Sequence, residues 1–585
     1  MKTIASKQFR SVVFTLITLE LANAIACMID GFTIGHFMGN EAMAAYGLAA
    51  PYFSLIAILS GTLTVSMQVL VSRNLGQGNV KKANEVFNTL FFLGIVIGAV
   101  VTVFGFIFSK QVAMIFGARG EYSNLLEGTK NALMGYFLGA GLNILFCILT
   151  PILQFDGKQK MVNAAGAISA VTDIALDLLN VFVFKLGIFG IALATTISFL
   201  VPDIMLFTYF LSKRKTFNIS TKMINMKECL KYVREGLPRG IAMAARLVGP
   251  VISNAIILAT AFTSGMAAMS VLGSIKFLAG APGWGIAGTV LLLAGVSLGE
   301  KDKQGLINTM IRSFKYVFFL IVGLAVIIVI LAGPIARAYI TDSDEALTMA
   351  IHAIRWYAVA LPFIALNNNA ANYLQAIGNK VGTYLYSIGN EFVAYVIVLF
   401  IMAKTFGVEG IWAAMLVEQI LLLIVYVVCA FTRKTTLKGR EKLLFLKSDF
   451  DANIEDFIQI SLRTKKEVCD LSENVMELCK SHNIDEKKGY YLGLCIEELA
   501  NNVLQHGFSD GKMHRLEVRV VIDKGDVVLR ICDDCKAFDI NKYLADLRME
   551  ETDPGKGIGL KLVMKAAKEV NYTYTLNTNY IMVKI

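Results

Sequence analysis

Three short polar stretches near the end of the chain carry residue types that bind nucleotides. The first, EELANNVLQHGF (497–508), places Glu498 and Asn502 four positions apart, so both project from one side of a helix. An amide oxygen combined with phosphate oxygens and waters suits Mg²⁺, which makes Asn502 the candidate metal ligand and Glu498 the candidate general base. In the second stretch, DDCKAFD (533–539), Asp533 follows a strand-like segment and could accept a hydrogen bond from the exocyclic amine of adenine.

The third stretch, DPGKGIGLKLV (553–563), alternates three glycines before an apolar run. Gly555, Gly557 and Gly559 would let backbone N–H groups approach phosphate at the start of a helix that begins near Ile558. The pattern lacks the Gly-x-x-x-x-Gly-Lys-Ser/Thr spacing of a P-loop, so an ATP-driven motor of that class is not indicated. Phosphate binding is therefore predicted for the three stretches together.

A second set of ionisable residues lies inside apolar stretches, where charge is costly and usually functional. Asp30 lies in the first such stretch, and Asp173 and Asp177 lie four positions apart on one helical face of the fifth. Three carboxylates facing one cavity repel one another, and a bound proton or Na⁺ relieves that cost. The alternative is that Asp30 is solvated near a helix end and Asp173 pairs with a neighbouring backbone.

The second half of the chain lacks counterparts of these aspartates. Glu391 and Glu418, in the late apolar stretches, are weaker candidates for substrate contact. One half of the molecule is thus predicted to carry the cation site.

The composition is that of a membrane protein, with 56% hydrophobic and 17% charged residues in 585 and a mean hydropathy of +0.60. The net charge of +10 is explained by basic residues in alternate short loops, which places both termini in the cytoplasm and indicates no nucleic-acid partner. Twelve apolar stretches are long enough to cross a bilayer. Their approximate limits are 11–38, 46–72, 86–109, 129–153, 162–184, 187–212, 237–262, 266–298, 314–336, 347–376, 382–404 and 408–432.

The apolar stretches also repeat. NLGQGNVKKAN (74–84) is similar to SLGEKDKQGLI (297–307), and GIFGIALATT from Gly187 is similar to GVEGIWAAML from Gly407, at displacements of about 220 residues. Two related six-helix halves are typical of transporters with a central cavity and alternating access. The predicted fold is a polytopic all-α membrane protein with halves at 1–220 and 221–435, a linker at 436–450, and a C-terminal α+β sandwich at 451–585. In that domain, helices are expected at 464–481 and 487–507, with a hairpin at Lys524-Gly525.

At the membrane half the chain resembles the multidrug and toxic compound extrusion (MATE) transporters, over about residues 8–435. The resemblance rests on MIDGFTIGHFMGNEAMAAYGLAAP, VLVSRNLGQGN and TDIALDLLNVFVFKLGIFGIALATTIS. It implies export of organic cations or other amphipathic compounds against inflow of H⁺ or Na⁺. It also implies a cation site at Asp30, Asp173, Asp177 and Thr195, in which Asp173 replaces the asparagine of the family pattern.

The C-terminal 135 residues resemble the GHKL ATP-binding fold, particularly the anti-sigma-factor serine kinases. This resemblance implies ATP and Mg²⁺ as cofactors, Glu498 as base, and a mobile lid at 540–555. The implied nucleotide-binding residues are Asn501, Asn502, Asp533, Gly555, Gly557 and Gly559. Cys535 departs from the family, which usually has glycine there, and a degenerate domain kept for protein contacts remains an alternative.

Taken together, the sequence predicts a cation-coupled efflux transporter, multi-pass in the cell membrane, with a cytoplasmic ATP-binding domain that regulates it or signals from it. The expected partners are a small organic cation or amphipathic substrate, the lipid bilayer and a cytoplasmic protein. Two alternatives remain open. One is a membrane sensor that controls a serine/threonine protein kinase domain, and the other is a flippase for a lipid-linked or polyanionic substrate, for which Arg246 is the candidate contact.

Overall fold

The protein is described by a computed structural model that covers residues 4–212, 215–340, 343–435, 437–447, 450, 454–509, 513–523, 526–540, 543 and 558–585. Fifteen α-helices precede the C-terminal domain in this part of the chain. They are α1 (Ile4–Phe37), α2 (Gly39–Ala49), α3 (Pro51–Gly76), α4 (Val80–Ile107), α5 (Ser109–Ile115), α6 (Leu126–Leu138), α7 (Ala140–Phe155), α8 (Gln159–Leu179), α9 (Gly187–Phe207), α10 (Met226–Gly299), α11 (Lys303–Tyr316), α12 (Val322–Tyr339), α13 (Asp344–Ala376), α14 (Lys380–Ile388) and α15 (Ala394–Thr432).

Short π-helical segments continue several of these helices, at Asn180–Phe184, Val317–Ile321 and Gly389–Val393. Nine helical runs in the described residues are long and apolar enough to cross a membrane, and the bent pair Ser123–Leu138 and Ala140–Phe155 makes a tenth. Non-helical residues break two of those runs, at Phe262 in α10 and at Gly407 in α15. Each broken run contains two of the stretches expected from the sequence, so the described helices account for all twelve.

The duplication is visible in the backbone itself. Residues with positive φ recur at matching places in the two halves: Gly39 with Phe262, Gly78 with Lys301, Gly157 with Gly378, and Gly187 with Gly407. Residues other than glycine rarely adopt positive φ, yet Phe262 and Lys301 adopt it where the first half has Gly39 and Gly78. We call α1–α9 the first half and α10–α15 the second half.

Two glycines bring the halves together at one end of the bundle. A Cβ at Gly76 would lie 2.2 Å from the carbonyl oxygen of Val296, and one at Gly299 would lie 2.2 Å from that of Arg73. The end of α3 and the end of α10 therefore touch through their backbones, a distance that only glycine permits.

The C-terminal domain is an α+β sandwich, as expected. Its sheet contains β1 (Ile454–Leu462), β2 (Leu516–Asp523), β3 (Asp526–Asp533), β4 (Glu569–Thr575) and β5 (Thr578–Lys584), in the order β1-β2-β3-β5-β4 with all described pairs antiparallel. Its helices are α16 (Lys465–Ser481), α17 (Glu486–Asn502) and α18 (Ile558–Ala566). β2 and β3 pair antiparallel as far as Asp523 and Asp526, as predicted, while the predicted turn residues Lys524 and Gly525 lie outside the described residues.

Alternation along the strands gives this sheet two different faces. Val518, Leu529 and Ile531 are buried against α16, α17 and α18. Their neighbours Arg519 and Arg530 point the other way, into a cavity of about 110 Å³ that is also lined by residues of α1 and α10. The second face of the sheet is thus covered by the membrane helices. We use the name docked face for the ends of the membrane helices that meet the domain, at Lys7, Phe155, Gln159 and Asp302.

Candidate functional sites

The three aspartates predicted from the sequence come together in the first half. Asp30 lies in α1, and Asp173 and Asp177 lie in α8, with side chains that are 4%, 4% and 0% exposed. Their carboxyl groups are close enough for their charges to interact. Asp30 is therefore buried, which disfavours the alternative in which it is solvated at a helix end.

Several oxygens of this cluster have no partner. Asp30 Oδ1, Asp173 Oδ1 and both carboxyl oxygens of Asp177 accept no hydrogen bond from any described residue. Buried carboxylates without donors are costly, and a proton or a bound cation supplies what is missing. The cluster has the donor set of a cation site.

Hydroxyl groups from α9 complete the cluster. Thr195 and Ser198 both face Asp173, and Thr195 Oγ1 also donates to Ile191 O at 3.3 Å. Ser198 was not predicted from the sequence, although its position three residues after Thr195 on the same helical face was the available signal. The site assignments themselves remain predictions.

The glutamates of the second half have protein partners. Glu391 forms an ion pair with Arg246, and Glu418, 3% exposed, accepts from Gln419 Nε2 at 3.0 Å. Arg246 is therefore neutralised by a carboxylate rather than presented alone to an anion.

In the C-terminal domain, Glu498 and Gly559 are in close contact. Glu498 is half-buried on α17, and a Cβ at Gly559, in the first turn of α18, would lie 1.7 Å from its Oε2 atom. The predicted stretch at 553–563 is thus in contact with the one at 497–508. Gly555 and Gly557, and nearly all of the predicted lid at 540–555, lie outside the described residues.

Asp533 ends β3 and is 2% exposed. Its Oδ1 atom accepts from Asn579 Nδ2 at 2.7 Å and from the Cys535 backbone N–H at 3.0 Å. Burial raises the pKa of Asp533, while these two hydrogen bonds act in the opposite direction. Asn579 in turn accepts from the Tyr572 hydroxyl at 2.7 Å, so a chain of hydrogen bonds fixes the orientation of the Asp533 carboxylate.

Cys535 packs against the segment that follows α17. Its Sγ atom is 2.7 Å from the position that a Cβ would take at Gly507. The Cys535 side chain therefore occupies space that is open because residue 507 is glycine. Gly507 and Asn579 were not predicted as site residues, because their roles depend on pairings between distant segments.

The described residues fit a nucleotide with Mg²⁺. Asn501 Oδ1 is buried and receives no hydrogen bond from the described residues, and Asn502 is half-buried at the last position of α17. Asn502 would hold the metal, Asp533 the base and the backbone near Gly559 the phosphates. Mg²⁺ would neutralise phosphate charge when bound.

Comparison with protein families gives two matches. The MatE family model matches residues 16–179 and 238–400, once in each half. The model described as histidine kinase-like ATPase domain matches residues 464–584.

Among curated proteins, the multidrug export protein MepA of Staphylococcus aureus is 30% identical over 221 residues, which are 37% of this chain and 48% of that protein. The chain thus spans about half the length of this relative. MepA of Staphylococcus saprophyticus is 24% identical over 430 residues, which are 73% of this chain and 93% of that protein.

Solved structures share the fold of the membrane half. A multidrug resistance MATE family transporter in an outward-facing conformation aligns with a TM-score of 0.68 at 20% identity, covering 72% of this chain and 94% of that one. A MOP superfamily transporter from Pyrococcus furiosus aligns with a TM-score of 0.67 at 20% identity, covering 74% and 98%. With one match in each half over more than half of its residues, the chain belongs to the MatE family, and it carries a histidine kinase-like ATPase domain at its C-terminal end.

Proposed function

We propose that the protein is a cation-coupled antiporter that exports organic cations or amphipathic compounds by alternating access. H⁺ or Na⁺ is the coupling ion, and the C-terminal domain binds ATP to regulate transport. Both termini and that domain are cytoplasmic, as the basic loops indicate. Multidrug export by the MepA proteins supports the substrate class.

The observation that carries this proposal is the buried cluster of Asp30, Asp173 and Asp177. Four carboxyl oxygens of the cluster accept no hydrogen bond from the described residues, and inside a membrane-spanning bundle such oxygens favour the binding of a proton or a cation. An entering H⁺ or Na⁺ neutralises the cluster. The ion can leave only after the cluster becomes accessible from the opposite side of the membrane. The ion gradient thus supplies the energy for transport.

The role of ATP is regulatory. The chain lacks a P-loop, and the predicted nucleotide residues lie in the C-terminal domain, outside the bundle that contains the aspartate cluster. The close approach of Gly559 to Glu498 supports one composite nucleotide site there.

Two other functions remain as alternatives. A sensor in which the bundle controls a serine/threonine kinase would use the same contacts between bundle and domain. Flipping of a polyanionic lipid-linked substrate is less well supported, because Arg246 is paired with Glu391.

The test is ion-driven efflux from vesicles that contain the full chain or Asp30→Asn. We expect Asp30→Asn to reduce efflux at least about tenfold, since it removes one charge of the cation site. Glu127→Gln is the control, because it also removes a carboxylate of the first half, but one whose side chain is 70% exposed and paired with Lys130. Unchanged efflux by Asp30→Asn would exclude Asp30 from the coupling mechanism.

A further inference from the structure

The turn between β4 and β5 is inserted into the first half. Leu576 N donates to Phe155 O at 2.8 Å, and Thr575 Oγ1 donates to the same oxygen at 2.7 Å. Asn577 Nδ2 donates to Gln159 Oε1 at 2.9 Å. The turn therefore satisfies backbone and side-chain groups at the end of α7 and the start of α8.

Leu576 is an unusual residue for this turn. Leu576 and Asn577 have φ values of 52° and 60°, which two-residue hairpins normally assign to Asn and Gly. Leucine rarely adopts this conformation, because its Cβ atom comes too close to the following carbonyl oxygen. Yet Leu576 is 3% exposed and belongs to the main apolar cluster of the membrane helices. The unfavourable backbone conformation of Leu576 is offset by burial of its side chain among the membrane helices.

The start of the chain makes a second contact between the first half and the domain. Lys7 Nζ forms an ion pair with Asp534 at 2.9 Å, and Gln8 Nε2 donates to Tyr580 OH at 2.8 Å. Asp534 directly follows Asp533, so this contact lies one residue from the predicted adenine site.

The second half is held by β2. Arg519 pairs with Asp302 at 3.2 Å, with side chains only 12% and 15% exposed, and also donates to Lys301 O at 3.1 Å. The segment between bundle and domain is packed as well, since Lys303 pairs with Glu441 at 2.7 Å and Tyr373 OH donates to Leu444 O at 2.9 Å. The domain is therefore not a freely tethered module.

Beneath the domain, the two halves hold each other. Arg73 of α3 donates to Ala376 O at 2.9 Å and to Gln375 O at 3.0 Å, and it pairs with Glu235. Glu235 also pairs with Lys380 at 2.6 Å. We call this group of five residues the latch.

From these contacts we infer that the C-terminal domain is an interlobe clamp, which holds the two halves together at the docked face and opposes opening of the latch. The inference deepens the proposed function, because it assigns the domain a mode of regulation in a transporter that must separate its halves on that side.

The sheet gives the clamp its stiffness. Arg519 on β2 grips the second half, and the β4–β5 turn grips the first half. β3 and β5 lie between them in one hydrogen-bonded sheet. Phe155 and Asp302 can move apart only if one grip is released, because hydrogen-bonded strands keep a spacing of about 4.8 Å across the sheet.

Hydrogen exchange of the full chain tests the clamp at residues 71–79 and 374–380, which contain every latch residue except Glu235. Arg519→Asp and Asp302→Arg each break the grip on the second half, and the double variant restores an ion pair with reversed charges. Leu576→Asn breaks the grip on the first half while supplying a residue that favours the turn. Lys130→Glu is the control, since its exposed pair with Glu127 lies on α6, at the end of the first half away from Phe155.

We expect each single variant to speed exchange at the latch at least about threefold, and the charge-swapped pair to return it to the wild-type rate. Exchange in 516–523 should stay constant, which shows that the domain remains folded. Faster exchange at 575–579 with an unchanged latch would overturn the inference, as would failure of the double variant to restore protection. The readout needs neither ATP nor transport, so lost efflux with an intact clamp would count only against the proposed function.

Discussion

Gly559 lies against Glu498 so closely that a methyl group at position 559 would stand 1.7 Å from Glu498 Oε2. The first turn of α18 and the last turns of α17 are thereby joined at one point, although Glu498 and Gly559 are 61 positions apart in the chain. The carboxylate is the far end of a flexible side chain, so a methyl group would displace it and leave α18 in place.

The Gly559→Ala variant should therefore fold, with a change in stability within about 1 kcal/mol. Its ATP turnover should fall by on the order of tenfold or more, because a displaced general base no longer works. In a Glu498→Ala background the same substitution should cause no further loss of ATP turnover. Additive losses in the double variant would show that Gly559 acts on the nucleotide independently of Glu498.

Cys535 is expected to be compatible with ATP binding. Its Sγ atom fills the space above Gly507, so Cys535→Gly should change the ATP affinity of the full chain less than about tenfold. Gly507→Ala should clash with Sγ and destabilise the domain, and the double variant Gly507→Ala/Cys535→Gly should recover. If only Cys535→Gly bound ATP, the wild-type domain would be degenerate.

Asp173 should make transport sensitive to membrane potential. Exchange of one H⁺ for one monovalent cation moves no net charge, whereas a further titrating carboxylate allows a second ion to enter. Each net charge is worth about 2.3 kcal/mol per 100 mV. Efflux by the wild type in vesicles should therefore rise with an inside-negative potential, and Asp173→Asn should lose that dependence. Potential-insensitive transport by the wild type would contradict this prediction.

Docking of the domain should weaken as pH rises towards neutrality. Burial beneath the sheet raises the pKa of Glu300 to about 7, although Arg530 acts in the opposite direction. A raised pKa means that the docked state is favoured at low pH and loses that stabilisation between about pH 5 and 7, as Glu300 ionises. Asp302, Arg519 and Glu517 face the same group.

The measurement is hydrogen exchange at 575–579, corrected for the intrinsic effect of pH. Glu300→Gln should flatten the profile and keep the domain docked above pH 7. A profile that is unchanged in Glu300→Gln would assign the pH dependence to another group, such as Glu517, whose pKa burial also raises.

Much of the fold could be predicted from the sequence, because the signals are local. Long apolar stretches predicted the membrane-spanning helices. Alternation of apolar and polar residues on both sides of Lys524-Gly525 predicted the two strands of the hairpin. Spacing of four placed Asp173 with Asp177, and Glu498 with Asn502, on common helical faces. The duplication was also predicted from the repeated sequence stretches. Matching positions with positive φ, such as Gly78 and Lys301, show that the two halves share backbone conformation as well.

Contacts between distant segments could not be predicted in this way. Nothing in the sequence near Asp533 indicates that Asn579 would orient it, or that Cys535 would meet Gly507. Arg246 taken alone is a candidate anion contact, but Glu391, 145 positions away, forms an ion pair with it.

Periodicity and composition act over one or two turns of chain, and they were enough to predict the membrane bundle, its duplication and the residue types of both candidate sites. How the bundle and the domain meet depends on contacts that form only in the folded chain. Leu576 reads as an ordinary residue between two strands, and its docking depends on Phe155 and Gln159, more than 400 positions earlier. Burial and hydrogen bonding at such a distance are properties of the folded chain, which no local pattern encodes.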